Sequence, residues 1–216
     1  MTTFVLVPGA GGSAGYWHLV VDRLERLGHA AVAVDLPGPD PERGLTQYVE
    51  LIRSAIAAAE PPVVLVAQSM GGFSASWAAT LAPVDELVLL NAMIPVPGES
   101  AGTWWEATGF VDPVGGFSVE DTFLHDVPLE ALVGLDERDE AEIGFSEPWA
   151  PEAWPDVPTR VLVGRDDRLF PADFQEKVAW DRLHQDVERI PGGHLAALSR
   201  PDELVAALTD PSHQEH

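Results

Sequence analysis

Two hydrophobic periods alternate along this chain. Unbroken apolar runs predict strands that are covered on both faces, whereas apolar positions three or four residues apart predict helices. The predicted strands are residues 3–7, 30–34, 63–66, 87–90, 160–164 and 187–190. The predicted helices are residues 14–27, 46–59, about 70–81, 171–183 and 201–208. This alternation predicts an α/β fold with a mostly parallel sheet of about six strands and helices on both faces.

The alternation stops between Asn91 and Pro158, where the chain is rich in proline, glycine and tryptophan. A connection of this length without structure is uncommon in a compact domain. We therefore expect a small, mainly helical lid at about 95–157, inserted into a single domain of residues 1–210, with helices at 103–108 and 129–143. Residues 211–216 are expected to form a disordered tail. The aromatic side chains expected to supply the apolar surface of the lid, most of them as the lid's own core, are Trp104, Trp105, Phe110, Phe117, Phe123 and Trp149.

Ser69 stands where the third strand pattern changes into a helical pattern with almost no loop. So abrupt a turn requires small residues on either side of the serine, and Ala67 and Gly71 are small. The arrangement predicts a nucleophile elbow, with the hydroxyl beyond the end of the strand and the Met70 N–H facing the same space. The alternative is an ordinary serine N-cap.

The glycine-rich loop at residues 8–12, PGAGG, has two interpretations. It does not match the spacing of a dinucleotide fingerprint or of a P-loop, and Lys177, the only lysine, lies in a different predicted helix. A nucleotide site is therefore not indicated. If the first and third strands are neighbours, the Ala10 N–H joins that of Met70 in an oxyanion hole. Otherwise the loop is a simple turn.

A serine nucleophile needs a base and an acid at the ends of later strands. Asp166 and Asp167 follow the fifth predicted strand, and His194 lies in a glycine loop after the last one. The chain order Ser, Asp, His is that of serine hydrolases with an α/β sheet. His125, in the lid, is expected to make a structural hydrogen bond rather than to take part in catalysis.

Composition excludes several functions. The formal charge of −23 over 216 residues disfavours nucleic acid and anionic membrane surfaces as partners. With no cysteine, the chain has no disulfide, thiol nucleophile or thiolate metal site. No cluster of ligands suggests a metal, and we expect no cofactor. Without a basic leader or a long apolar run, the chain is expected to be soluble and cytoplasmic.

Four motifs resemble the alpha/beta-hydrolases over nearly the whole chain, the details of the lid excepted. They are FVLVPGAGGSAGYWH, AQSMGG, GRDDRLFP and GGHLAALSRPDEL. They are most similar to the small-lidded branch that contains plant methyl-ester hydrolases and hydroxynitrile lyases. In that branch the acid lies three residues after a strand-end glycine and four before a proline, which favours Asp167 over Asp166. Three positions depart from the pattern: Pro8 replaces a histidine, Ala67 replaces a glycine, and no acidic residue precedes His194.

The resemblance implies a serine hydrolase that cleaves a small, largely apolar carboxylic ester through an acyl-enzyme. Ser69 is then the nucleophile, His194 the general base, Asp167 the residue that orients the histidine, and the N–H groups of Ala10 and Met70 form the oxyanion hole.

Two alternatives stay open, a lyase on the same scaffold and a small-molecule receptor with little catalysis. Lyases of this branch carry a threonine at the position of Gly9 and a lysine at the position of Leu195, and neither group is present here. The expected substrate contacts are Gly9, Trp104, Trp105, His125 and Leu195. The sequence does not predict the oligomeric state.

Overall fold

Six parallel strands form one sheet in the order β2-β1-β3-β4-β5-β6. The computed structural model describes residues 1–111, 116 and 118–210; the predictions for Phe117 and for the tail at 211–216 lie outside these residues. The strands are β1 (Thr3–Val7), β2 (Ala30–Ala33), β3 (Val63–Gln68), β4 (Glu86–Leu90), β5 (Thr159–Gly164) and β6 (Val187–Ile190). The predicted sheet is therefore confirmed.

Helices connect these strands and follow the last one. The α-helices are α1 (His18–Arg26), α2 (Leu45–Ala58), α3 (Gly71–Ala79), α4 (Ala101–Ala107), α5 (Glu142–Ser146), α6 (Ala172–Leu183), α7 (Ala196–Ser199) and α8 (Pro201–Leu208). A 3₁₀ turn, Ala14–Trp17, precedes α1 and occupies the first part of the helix that the sequence predicts at 14–27.

Side chains of the strands alternate between two hydrophobic cores. Val5 and Val7 of β1 belong to one core, together with apolar residues of α2, α3 and α6. Phe4 and Leu6, on the other face of the same strand, belong to a second core with residues of α1 and α8. Helices therefore cover both faces of the sheet, as the unbroken apolar runs predict.

The start of α2 differs from the prediction that Thr46 caps it. The N-cap is Gly44, and Thr46 lies inside the first turn. The Thr46 N–H donates to a carboxylate oxygen of Glu147 at 3.0 Å. An acceptor from a distant part of the chain thus replaces the local serine or threonine cap that sequence patterns reveal.

Residues 95–157, called the insert below, carry four short helical elements within their described part. These are α4, a π-helical turn at Val119–Phe123, a 3₁₀ turn at Leu129–Leu132 and α5. The predicted helix at 129–143 is wrong, because Gly134 adopts a φ of 82° and interrupts it. The predicted helix at 103–108 is α4, which begins two residues earlier behind the N-cap Ser100.

The insert is attached to the helices of the first core. Trp149 is buried, and its indole N–H donates to the hydroxyl of Ser76 on α3 at 3.1 Å. Arg182 of α6 donates to the buried carboxylate of Glu99 at 2.8 Å. The expectation that most of the lid aromatics form a core of their own fails for Trp149, which packs in the first core.

No helix in the described ranges, 1–111 and 118–210, has the length and apolar character needed to cross a bilayer.

Candidate active site

Ser69 occupies the turn between β3 and α3 with a left-handed backbone, φ 51°. A Cβ at Gly71 would collide with the carbonyl oxygen of Pro8, so only glycine allows the start of α3 to pass this close to the loop after β1. The Ser69 carbonyl accepts hydrogen bonds from the N–H groups of Gly72 at 3.1 Å and Met93 at 2.9 Å. A left-handed residue other than glycine costs about 1–3 kcal/mol, and these contacts hold it in place.

The hydroxyl of Ser69 does not cap the helix. Met70 is the N-cap residue of α3, and the cap has no side-chain hydrogen bond. The Oγ of Ser69 instead lies 3.0 Å from Nε2 of His194. The alternative interpretation of Ser69 as an N-cap is therefore wrong, and the elbow directs the hydroxyl toward the histidine.

Nδ1 of His194 lies 2.9 Å from Oδ2 of Asp167, and both side chains are buried. The carboxylate accepts a hydrogen bond from the Nδ1–H, which leaves the Nε2 lone pair free to accept a hydrogen bond from the Ser69 hydroxyl. Serine, histidine and aspartate thus form one continuous chain of hydrogen bonds, although they are far apart in the sequence.

Asp167 is itself held by its surroundings. Its Oδ1 accepts hydrogen bonds from the N–H groups of Leu169 at 2.8 Å and Phe170 at 2.9 Å. The buried Gln175 amide of α6 donates to Oδ2 at 3.2 Å. Asp166, by contrast, is exposed and its carboxylate faces the Gly192 N–H at 3.3 Å. Of the two adjacent acids, only Asp167 reaches the histidine ring.

Asn91 follows β4 directly, is fully buried and has a φ of 45°. It joins the end of β5 to the loop that carries His194, called the histidine loop below. Its Oδ1 accepts the Gly164 N–H at 2.7 Å. Its amide nitrogen donates to the carbonyl oxygens of Gly193 at 3.0 Å and His194 at 3.2 Å. Asn91 therefore helps to fix the backbone that carries His194, together with the Gln68 amide, which donates to the His194 carbonyl at 3.3 Å.

The two expected oxyanion donors, Ala10 and Met70, follow neighbouring strands. β1 pairs with β3, with Val7 opposite Ala67, so the loop after β1 meets the elbow. Within the described residues, the backbone N–H groups of Ala10 and Met70 donate no hydrogen bond to a protein acceptor. Gly9 borders Ser69 so closely that an added Cβ would lie 2.9 Å from the Ser69 Cβ.

Aromatic rings surround His194. The ring of Phe123, in the insert, lies at a steep angle to the imidazole, with the two centroids 5.5 Å apart. The ring of Phe170, three residues after Asp167, does the same at 5.2 Å. Phe170 also contacts Trp104 and the half-buried Trp105. Trp104 is buried, and its indole N–H donates to the Ile94 carbonyl at 3.1 Å, so it supports the rings around the site.

The other two predicted substrate contacts lie beside His194. Leu195 is half-buried and packs against the second core. His125 is also half-buried; its Nε2 is buried and has no hydrogen-bond partner among the described residues, so this atom does not make the expected structural hydrogen bond. A Cβ at Gly193 would lie 2.7 Å from that nitrogen, which places His125 directly against the histidine loop.

Sequence reasoning missed Asn91, Gln175 and Asp126 as parts of the site. Asp126 of the insert accepts the Gly193 N–H at 2.8 Å. Asn91 carried a weak signal, because asparagine directly after a strand is suited to a left-handed backbone. No sequence pattern marked Gln175 or Asp126, because only the fold brings their partners close to them.

The described residues contain no group of three or more histidine or acidic side chains arranged to hold a metal ion.

A comparison with protein-family models identifies the chain. The model of the alpha/beta hydrolase family matches residues 4–207, which is nearly the whole sequence. The chain belongs to the alpha/beta hydrolase family. This result agrees with the parallel sheet, the elbow and the order of the serine, acid and histidine along the chain.

Several characterised proteins resemble this alpha/beta hydrolase. A pyrethroid hydrolase from Sphingobium wenxiniae is 25% identical over 244 residues, covering 97% of this chain and 87% of the relative. Methylesterase 7 from Arabidopsis thaliana is 36% identical over 104 residues, covering 43% of this chain and 40% of the relative. The crystal structure of polyneuridine aldehyde esterase shares the fold, with a TM-score of 0.82, 23% identity and coverage of 98% and 99%.

Proposed function

We propose that this alpha/beta hydrolase is a serine-dependent carboxylic ester hydrolase that acts on a small, largely apolar ester through an acyl-enzyme. The observation that carries the proposal is the hydrogen-bonded series Ser69, His194 and Asp167, with distances of 3.0 and 2.9 Å. A strained elbow that presents a hydroxyl to a buried, carboxylate-bound imidazole is the arrangement that activates a serine.

In the first half of the reaction, Ser69 Oγ attacks the ester carbonyl carbon while Nε2 of His194 takes the hydroxyl proton. The carbonyl π electrons move to oxygen, and the N–H groups of Ala10 and Met70 stabilise the negative charge. Collapse of the tetrahedral intermediate expels the alcohol, which takes the proton back from His194. Water then attacks the acyl-enzyme in the same way and releases the acid.

The surroundings of His194 support an apolar substrate. Phe123 and Phe170 flank the imidazole, and the half-buried Trp105 lies against Phe170 with centroids 5.5 Å apart. The formal charge of −23 repels anionic esters over longer distances. The names of the relatives, a pyrethroid hydrolase and a methylesterase, point to esters with apolar groups. In this proposal the insert acts as the lid, and the enzyme is cytoplasmic.

Covalent labelling tests the proposal. A serine-reactive fluorophosphonate should modify Ser69 in the wild-type protein, and hydrolysis of p-nitrophenyl acetate should disappear with labelling. Ser69→Ala and His194→Ala should each lose roughly a millionfold in kcat, because the members of a triad act as a unit. Ser54→Ala is the matched control, since this exposed hydroxyl bonds only to the Glu50 carbonyl of its own helix. Ester hydrolysis that survives in Ser69→Ala refutes the proposal.

A further inference from the structure

The loop that carries Ala10 is oriented by two hydrogen bonds on consecutive peptide groups. The Gly9 carbonyl accepts the Gly12 N–H at 3.1 Å. Because N–H and C=O point in opposite directions across a trans peptide, this bond turns the Ala10 N–H to the other side. The next peptide group, between Ala10 and Gly11, is held from outside the loop: the Gly11 N–H donates to Oε2 of Glu140 at 2.8 Å.

The loop needs such an external restraint. Gly11 and Gly12 have φ values of 82° and 72°, and glycine populates positive and negative φ about equally. The peptide between Ala10 and Gly11 is therefore free to rotate unless a partner fixes its N–H. Rotation of that peptide changes the backbone at Ala10 and moves the neighbouring Ala10 N–H, which the proposed function assigns to the oxyanion hole.

Glu140 is anchored well enough to serve as that partner. Its second carboxylate oxygen, Oε1, accepts the phenol hydrogen of Tyr48 on α2 at 2.6 Å. Burial raises the pKa of Tyr48, so the phenol stays protonated and remains a donor. The residues around Glu140 are also attached to the core, through an Arg138–Asp35 ion pair at 2.9 Å and through the Ala141 N–H, which donates to the Gly38 carbonyl at 2.8 Å.

We propose that Glu140 is a positioning residue for the oxyanion hole. By binding the Gly11 N–H, it fixes the peptide next to Ala10, and Tyr48 fixes Glu140. Glu140 belongs to the insert, whereas Ala10 belongs to the sheet domain, so the oxyanion donor is oriented only when the segment around residues 138–141 is docked. This inference rests on the proposed ester hydrolysis at Ser69.

Glu140 positions the loop that carries Ala10 through hydrogen bonds and not through its negative charge. In Glu140→Gln the amide oxygen accepts the Gly11 N–H and the amide N–H₂ donates to the Tyr48 oxygen, so both contacts are kept. In Glu140→Ala both are lost. Removing one oxyanion donor outright costs about 10²–10³-fold in kcat, and we expect about 10- to 100-fold when the donor is only misplaced.

The experiment measures kcat and KM for p-nitrophenyl acetate, and the inhibition constant of an aryl trifluoromethyl ketone. The ketone carbon accepts Ser69 Oγ, the proton moves to His194, and the resulting oxyanion occupies the hole. In Glu140→Ala we expect kcat to fall about 10- to 100-fold, with KM within about threefold of wild type. The inhibition constant should rise by a similar factor, while binding of the non-fluorinated methyl ketone stays unchanged. Glu140→Gln should keep kcat within about threefold of wild type.

Glu147→Ala is the matched control. This carboxylate also belongs to the insert, but it accepts the Thr46 N–H at the start of α2 at 3.0 Å and makes no hydrogen bond to the loop that carries Ala10. It should lower stability without lowering kcat more than about twofold. If Glu140→Ala does not fold, Tyr48→Phe decides, because it removes only the anchor of Glu140; we expect kcat to fall several-fold with the fold intact.

The outcomes separate this inference from the proposed function. Wild-type kcat in Glu140→Ala or in Tyr48→Phe, in a protein whose Ser69 is labelled and active, overturns the role of Glu140 alone. So does an equal loss in Glu140→Gln and Glu140→Ala. A wild-type protein that neither hydrolyses esters nor reacts at Ser69 overturns both proposals.

Discussion

Asp167 accepts a hydrogen bond from Nδ1 of His194 at 2.9 Å, and the acid next to it in the sequence does not. The Asp167 carboxylate is buried and receives two backbone N–H groups on its other oxygen. The two N–H groups fix the orientation of the carboxylate toward the histidine ring. The pair therefore holds the imidazole in the tautomer that the serine requires.

The two adjacent acids should respond very differently to the same substitution. Asp167→Asn replaces an acceptor with an amide that can donate to Nδ1, so the imidazole takes the wrong tautomer; kcat should fall by about 10⁴-fold. Asp166→Asn, at an exposed position, should leave kcat within about twofold of wild type. Steady-state kinetics on one ester checks both. The reverse order of effects contradicts the assignment of the acid to Asp167.

Replacing Asn91 should reduce both stability and activity. Asn91→Gly keeps the left-handed backbone but leaves the Gly164 N–H and the Gly193 carbonyl without their partner. The His194 carbonyl loses one of its two donors and keeps the Gln68 amide at 3.3 Å. Losing these buried bonds should lower the free energy of unfolding by about 1–3 kcal/mol. The histidine loop is then less well held, and kcat should fall about tenfold or more, in line with misplacement by about 1 Å. Urea unfolding and kinetics measure the two effects.

Two further variants at Asn91 separate the effect of backbone strain on stability from that of the lost hydrogen bonds. Asn91→Ala loses the amide and also strains the backbone at φ 45°, so it should be less stable than Asn91→Gly by about 1 kcal/mol or more. Asn91→Asp keeps the acceptor for Gly164 but cannot donate to the two carbonyls when ionised. Equal stability of wild type and Asn91→Gly contradicts the role given to the amide.

Stability should depend on pH through Glu140. Burial raises the pKa of this carboxyl above its ordinary value, although the hydrogen bonds from Tyr48 and Gly11 oppose the shift. A raised pKa in the folded state contributes stability below the unfolded pKa, about 4.3, and this contribution is lost as pH rises through the folded pKa. The free energy of unfolding of Glu140→Gln minus that of wild type should therefore increase as pH rises from the unfolded pKa through the folded pKa of Glu140, and level off above it.

Measuring that difference removes the effect of the other carboxylates, because they are present in both proteins. Urea unfolding of both proteins at several pH values gives this difference in the free energy of unfolding. A difference that stays constant or decreases with pH contradicts the burial effect.

The substrate should be an ester and not a cyanohydrin. Cyanide leaving in an apolar site requires a nearby cation. Leu195 follows His194 where the lyases that the sequence resembles carry lysine, and the only lysine, Lys177, is exposed on α6 beside Asp181. Gly9 likewise lacks the threonine hydroxyl. We expect hydrolysis of short aryl or methyl esters, and no cyanide release from mandelonitrile above background.

Two results contradict this expectation in different ways. Faster cyanide release than hydrolysis of every ester tried supports a lyase. Ligand binding measured by calorimetry, with neither reaction detectable, supports the receptor alternative.

The sequence predicted the strands and the order of the site residues well. β1, an unbroken apolar run, and β6 both have the predicted bounds, and the proline at the first position marks the start of α8. Ser69, Asp167 and His194 were predictable because each lies at the carboxyl end of a strand, and parallel strands bring these ends to one edge.

The contacts that hold the site could not be predicted in this way. Glu140 and Gly11 are 129 positions apart, and Gln175 reaches Asp167 from a helix whose sequence looks ordinary. Thr46 illustrates the same limit, since its N–H is bound by Glu147 and not by a local cap. The partners of these side chains are far away in the sequence and are brought together only by the fold.

Asn91 also sets an order of events during synthesis. Its amide binds Gly193 and His194, which lie 102 and 103 positions later. The chain through residue 194 must therefore leave the ribosome before the histidine loop can settle against β4, although β1 and the turn that carries Ser69 emerge early. A nascent or truncated chain that stops short of residue 193 thus carries Ser69 without the histidine that its hydroxyl contacts.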